Sequence, residues 1–252
     1  MLPEAAPLTG GSWAMFLDVD GTLLDIADAP DLVHVDKGLL RLLDSLVRAN
    51  EGAVALVSGR SIADLDKLFS PLILPAAGLH GAERRDARRN VHRQPVDPRL
   101  RQVERELARW SLSRPGTLVE DKGGAVALHY RLAPGEEVAA RKLIRTVASS
   151  LGDDYVVQSG KRVVEIKPSG VSKATAIGEF MREAPFAGRR PVFVGDDATD
   201  EDGFLAVRDL GGLAVGVGER EFHHASCRLA DVRAVEDWLI DWLDTDQDGE
   251  VA

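Results

Sequence analysis

Apolar residues fall along this chain in two rhythms. One is the short unbroken run. Trp13–Leu17, Ala53–Val57, Leu72–Ala77, Pro191–Val194 and Leu213–Val217 are such runs, each closed by Asp, Ser or Gly. Runs of this kind predict strands buried on both faces of a parallel sheet. The other rhythm is helical. Leu39, Leu40, Leu42, Leu43, Leu46 and Val47 predict a helix over 37–50, with Asp36 as its N-cap. Further helices are expected over 62–69, 171–182, 201–209 and 235–243. The alternation of strand and helix is the signature of a parallel α/β sheet.

Between residues 85 and 166 the rhythm changes. A helix is expected over 98–111. Residues 117–121 and 124–131 alternate like a hairpin around Lys122-Gly123. A second helix over 136–151 precedes a second hairpin, 155–158 and 162–167, around Ser159-Gly160-Lys161. The order α-β-β-α-β-β reads as an α+β domain inserted into a Rossmann-like α/β core. The core is then 1–84 with 167–252, and the insert 85–166. Residues 1–12 are expected to be loose, 25–36 a loop, and the end from Thr245 an acidic tail.

Composition narrows the function. A formal net charge of −10 argues against nucleic acid as a partner. The segment Arg84–Arg114 reverses that balance, with ten arginines against four acids. Arg101, Arg105 and Arg109 share one helical face. A solvated face balanced by Glu104 and Glu106 accounts for them more simply than a funnel for an anionic substrate. One cysteine, Cys227, excludes an internal disulfide and fits a reducing compartment; it reads as a buried apolar residue. There is no signal-peptide pattern and no apolar run long enough to span a bilayer. A cytoplasmic monomer with no membrane partner is expected.

Three of the predicted strands end in polar groups at the same relative place: Asp18 and Asp20, Ser58, and Asp196 with Asp197. In a parallel sheet these gather at one carboxyl edge, where open α/β sheets bind ligands. Clustered carboxylates form a hard-oxygen cage suited to Mg²⁺ beside a substrate phosphate. Thr22 and Ser58 offer hydroxyls to that phosphate, and Lys173 stands at the start of a predicted helix. For Ser58 the plainer role is N-cap of the 62–69 helix, which is compatible with phosphate binding. His223-His224 is a weak candidate metal pair. Asp244-x-Asp246-x-Asp248-Gly249 resembles half of a calcium loop but lacks its closing Glu.

Asp18-x-Asp20-x-Thr22, Ser58, Lys173 and Gly195-Asp196-Asp197 together resemble the four ordered signatures of the haloacid dehalogenase superfamily of phosphatases. The insert lies where that superfamily carries its type II cap. GLHGAE (78–83), KGGAVALHYR (122–131), GKRVVEIKP (160–168) and FVGDDATDEDGF (193–204) are similar to the trehalose-6-phosphate phosphatases. Ala174 departs from the Gly expected after the lysine.

The resemblance implies Mg²⁺-dependent hydrolysis of trehalose 6-phosphate, in trehalose biosynthesis. Asp18 would be the nucleophile. Asp20 would be the proton carrier, with its pKa raised by the neighbouring carboxylates. Thr22, Ser58 and Lys173 would bind phosphate. Asp18, Asp196 and the Asp20 carbonyl would hold the metal, with Asp197 and Asp200 in support. Glu120, Lys122 and Glu165 of the cap would bind sugar hydroxyls. The alternatives are another sugar phosphate, such as sucrose phosphate or a mannosyl phosphoglycerate, a phosphomutase, and a phosphosugar sensor without turnover. His80 and His129 stand evenly between packing and function.

Overall fold

A computed structural model of the chain describes residues 2–6, 8, 12–26, 33–160 and 162–249. Parts of the expected loose start, the 25–36 loop, Lys161 of the second hairpin and the last three residues of the acidic tail lie outside the described residues. The strands are β1 (Trp13–Leu17), β2 (Val54–Val57), β3 (Ala76–Gly78), β4 (Glu83–Arg85), β5 (Val91–Arg93), β6 (Leu118–Asp121), β7 (Val126–His129), β8 (Tyr155–Gly160), β9 (Val163–Pro168), β10 (Arg190–Gly195), β11 (Leu213–Val217) and β12 (Cys227–Leu229). The helices are α1 (Lys37–Ala49), α2 (Ile62–Leu68), α3 (Leu100–Ser111), α4 (Glu137–Ala148), α5 (Lys173–Phe180), α6 (Glu201–Asp209) and α7 (Val232–Gly249). No described helix is long and apolar enough to cross a membrane.

The chain divides into two compact units, Met1–His92 with Ser172–Ala252, and Arg93–Val171. The first holds an eight-stranded sheet in the order β12-β11-β10-β1-β2-β3-β4-β5. It is parallel from β12 to β3, and β4 returns antiparallel to β3. The unbroken apolar run of β1 is explained by its central place. Trp13, Met15 and Leu17 enter one layer with residues of α1 and α7, while Ala14 and Phe16 enter the other with residues of α5 and α6. The Phe16 ring stacks on Phe186 at 5.5 Å and meets Phe180 at 5.9 Å. Truncating such a buried ring to Ala costs roughly 3–5 kcal/mol.

Three sequence expectations shift. The strand expected over 72–77 starts at Ala76, because Pro75 has no N–H to enter the ladder; only its carbonyl takes part, accepting from Leu56 N at 3.0 Å. β5 and the last residue of β4, placed in the insert by its expected start at 85, extend the large sheet. The second unit accordingly starts at Arg93 rather than 85 and runs to Val171 rather than 166. The arginines of β4 are buried and paired. Arg84 binds Glu179 and Glu183, while Arg85 binds Asp66 and the Leu74 carbonyl. β12 is too short for any periodicity to reveal it. α7 continues through the segment that resembled half of a calcium loop.

The second unit is a four-stranded antiparallel sheet, β6-β7-β9-β8. Val126, Leu128, Tyr130, Val164 and Ile166 form its core with residues of α3 and α4. Its element order is α-β-β-α-β-β, as the sequence predicts. Arg101, Arg105 and Arg109 lie on the exposed side of α3. Because side chains alternate between faces, Glu120, Ala127, Glu165 and Gln158 make one cross-strand row on the face away from that core.

Candidate active site

Asp18 is the first residue beyond β1. Its N–H still donates to Val194 O at 3.0 Å, so it continues the ladder towards β10. The chain then turns sharply: the N–H groups of Thr22, Leu23 and Leu24 donate to Val19 O. Gly21 occupies the left-handed region at φ 88°. A Cβ there would lie 2.1 Å from Asp196 Oδ2, so the turn at the end of β1 and the acids at the end of β10 meet through a position that admits only glycine.

Lys173 is the first residue of α5, whose N-cap Ser172 forms a capping box with Thr175. This fixes where the lysine enters the sheet edge. Its Nζ donates to Asp18 Oδ1 at 2.7 Å and to Asp200 Oδ1 at 2.5 Å. All three side chains are almost completely buried. Asp200 closes the turn before α6, and its Oδ2 accepts from Asp197 N at 2.8 Å. The Asp18, Asp196 and Asp200 carboxylates bring oxygens within 4.8 Å of one another.

This crowding moves the titration of the group. Burial pushes the Asp18 carboxyl well above the usual carboxylate range; Lys173 opposes the shift, and Asp200 and Asp196 add to it. Asp196 is pushed up to about 7 by burial and by Asp200 and Asp197. Lys173 is held charged: burial works against the ammonium, but Asp18 and Asp200 outweigh it. Three carboxylates and one ammonium leave a formal charge of −2. Asp196 Oδ1 is buried with no hydrogen-bond partner. These residues therefore fit a divalent cation with a preference for oxygen. Asp200 has already committed one oxygen to Lys173 and the other to a backbone N–H. Asp18 and Asp196 have more open lone pairs, in keeping with the expectation that Asp200 supports the site.

The sequence-predicted phosphate donors come to the same edge. Ser58 follows β2 and Thr22 lies in the turn after β1; both are fully buried, and Thr22 Oγ1 has no hydrogen-bond partner. Ser58 is not the N-cap of α2. Ser61 is, accepting from Asp64 N, while Ser58 Oγ accepts from Arg60 N at 3.1 Å.

Asp20 departs from expectation. Its carboxylate is not in the acidic group but turned to Arg60, which donates through Nε to Oδ2 at 2.7 Å and through Nη2 to Oδ1 at 2.6 Å. The acids expected to crowd Asp20 crowd Asp18 and Asp196 instead. Sequence reasoning missed Arg60. The one available signal was its place two residues after Ser58, on the loop that leaves the same sheet edge.

In the second unit, Lys122 Nζ donates to Glu165 Oε2 at 3.2 Å, and both side chains are largely buried. Glu165 Oε1 is buried with no hydrogen-bond partner. Glu120 Oε2 lies 2.8 Å from His129 Nε2. Lys122 with Glu165 and Glu120 with His129 thus form two pairs on this unit.

Other candidates resolve plainly. The backbone N–H groups of His223 and His224 donate to the Glu201 carboxylate, tying their loop to the start of α6. Burial pushes the Cys227 thiol up to about 11, as for a buried apolar residue and unlike a nucleophile.

The family described as trehalose-phosphatase matches residues 16–230. The trehalose-6-phosphate phosphatase of Escherichia coli K12 is 46% identical over 234 residues, covering 92% of this chain and 87% of that protein. The solved structure of a trehalose-6-phosphate phosphatase related protein superposes with a TM-score of 0.76 at 29% identity, covering 94% of this chain and all of that one. A Bacteroides thetaiotaomicron phosphatase of the haloalkanoate (HAD) enzyme superfamily shares the fold, with a TM-score of 0.61 at 17% identity and coverage of 89% and 91%.

Proposed function

Because the chain belongs to the trehalose-phosphatase family and has the fold of the haloacid dehalogenase (HAD) superfamily, we propose that it hydrolyses trehalose 6-phosphate to trehalose and phosphate. The reaction is Mg²⁺-dependent and proceeds through an aspartyl phosphate on Asp18. The observation that carries this reading is the buried Asp18–Lys173–Asp200 array with Asp196 beside it.

Lys173 holds Asp18 Oδ1, which leaves Oδ2 to attack phosphorus. The bond from phosphorus to the sugar oxygen breaks as the new P–O bond forms. Asp20 delivers a proton to the departing oxygen. Water then attacks the phosphorus of the aspartyl phosphate, the P–O bond to Asp18 breaks, and Asp20 takes the water's proton. Arg60 orients the Asp20 carboxylate through its two guanidinium bonds. Thr22 and Ser58 donate their hydroxyls to the phosphoryl oxygens. Asp18, Asp196 and the Asp20 carbonyl would hold Mg²⁺, which would supply a positive centre to offset charge on the transferring phosphoryl group.

The second unit supplies sugar recognition through Glu120, Lys122 and Glu165. Polar groups built to pair with hydroxyls discriminate strongly against analogues that leave them unpaired. The test is phosphate release from trehalose 6-phosphate, sucrose phosphate, mannosyl phosphoglycerate and glucose 6-phosphate, with Asp18→Asn as control. Trehalose 6-phosphate should give the highest kcat/KM, and Asp18→Asn should lose turnover while melting as a folded protein. Preference for another ester would overturn the substrate, and activity in Asp18→Asn would overturn the nucleophile.

A further inference from the structure

The turn over Gly78–Glu83 lies between β3 and β4 and carries no group used in the steps above. Yet it holds two consecutive non-glycine residues in the left-handed region, Leu79 at φ 51° and His80 at φ 56°. Such backbone persists only where its surroundings over-determine it, and it concentrates at functional sites. On one side the turn grips the loop after β2: His80 N donates to Ser58 O and Leu79 N to Arg60 O, both at 2.9 Å. Glu83 fastens the same loop, since its buried Oε1 accepts from Ile62 N at 2.5 Å. On the other side the turn abuts the start of α5. A Cβ on Gly81, at φ 105°, would lie 2.6 Å from Ser172 O and 3.4 Å from the Ala176 Cβ. Ser172 is the N-cap that fixes Lys173.

We propose that the Gly78–Glu83 turn is a positioning element for the phosphate site. It sets the separation between Ser58, on the β2 loop, and Lys173, at the head of α5. Gly81 and Glu83 are its positioning residues, acting through Ser172 and Ile62 respectively. These two anchors come from distant parts of the sequence. The left-handed pair at Leu79 and His80 lets one short turn reach both. This rests on the reading of Ser58 as a phosphate ligand and of Lys173 as the residue that holds the nucleophile Asp18 beside it.

The test uses the intact protein and inorganic phosphate as the probe. Competitive inhibition by phosphate is measured alongside kcat and KM for trehalose 6-phosphate and for a small aryl phosphate. In wild type, phosphate should inhibit, and Ser58→Ala should weaken it about tenfold, the value of one hydrogen bond to a charged ligand. If neither holds, the phosphate-ligand reading fails and the proposal with it. With both in place, Gly81→Ala should raise the inhibition constant about tenfold and raise KM for both esters by the same factor. A phosphate constant unchanged in Gly81→Ala, or a loss confined to the sugar ester, overturns the positioning role. Should Gly81→Ala not fold, Glu83→Ala against Glu83→Gln decides. The amide keeps an acceptor for Ile62 N, so Glu83→Gln should restore phosphate inhibition that Glu83→Ala loses. A thermal-stability change shared by both variants with phosphate inhibition intact would mark Glu83 as structural only and overturn its role.

Discussion

Replacing Arg60 separates what it does for the fold from what it does for Asp20. The two side chains meet through two parallel bonds of 2.6 and 2.7 Å, with exposures of 15% for Arg60 and 37% for Asp20. Solvent reaches the carboxylate, so the pair is worth about 1 kcal/mol to stability at most. In a chain of this size that is a melting shift of about 2–4 °C. The catalytic consequence should be larger. A positioned acid or base contributes about 10²–10⁴-fold, and misplacement by about 1 Å can cost about 10²-fold. Arg60→Ala releases Asp20 from its fixed orientation. Trehalose 6-phosphate has an alkyl leaving group that needs a proton, and its kcat should fall about 100-fold. An aryl phosphate leaves as a stable phenolate, so formation of its aspartyl phosphate should slow far less, whereas hydrolysis of that intermediate, common to both esters, should slow equally.

Arg60→Lys keeps the charge but replaces a fork with a point donor and should lie in between. The assay is kcat on both esters for wild type and both variants, with phosphate inhibition as a control that Ser58 has not moved. A kcat on trehalose 6-phosphate unchanged in Arg60→Ala, with phosphate inhibition unchanged, would refute the assignment of Arg60 as the residue that orients Asp20.

The remaining expectations concern the metal and the sugar. Burial, with the neighbouring acids, holds the Asp18 carboxyl above its usual range and Asp196 at about 7, so the folded metal-free protein binds more protons than the unfolded chain. Its stability should therefore fall as pH rises from about 4 through 7. A chelated sample should melt lower at pH 8 than at pH 5, and MgCl₂ should raise the melting temperature more at pH 8. A chelated sample that melts higher at pH 8 would contradict the crowding of Asp18 and Asp196. In the second unit, Glu165→Ala removes the carboxylate paired with the Lys122 ammonium and should reduce kcat/KM on trehalose 6-phosphate about 10–100-fold. The same variant should leave a small aryl phosphate nearly unaffected, and equal losses on both esters would make Glu165 structural.

What could be read from the sequence was what repeats or alternates. β1, β2, β10 and β11 stood out because a strand buried on both faces must be apolar throughout. The polar residues that close them then had to share one edge. The misses follow from features that carry no period. β12 has three residues. β4 hides two buried arginines whose partners, Glu179, Glu183 and Asp66, are set by tertiary pairing. Sequence could not place the Asp20 carboxylate, because that depends on a side chain forty residues away, Arg60. The sequence reading likewise offered Ser58 as the cap for α2, whereas the backbone gives that task to Ser61 and leaves Ser58 free of it.

If Thr22 and Ser58 face the substrate phosphate, the charges at the sheet edge explain why hydroxyls serve there rather than more cations. The whole chain carries −10, so its long-range field does not attract a dianionic ester. Lys173 is spent internally, on Asp18 and Asp200. With a divalent cation the buried set of three carboxylates and one ammonium becomes neutral. A neutral floor with the donors Thr22 and Ser58 can hold a phosphoryl group through hydrogen bonds without gripping the product phosphate as a surplus of fixed positive charge would. Adding an arginine or lysine at Thr22 would then strengthen phosphate binding at the expense of turnover, because ground-state and product binding rise together with no gain specific to the transition state.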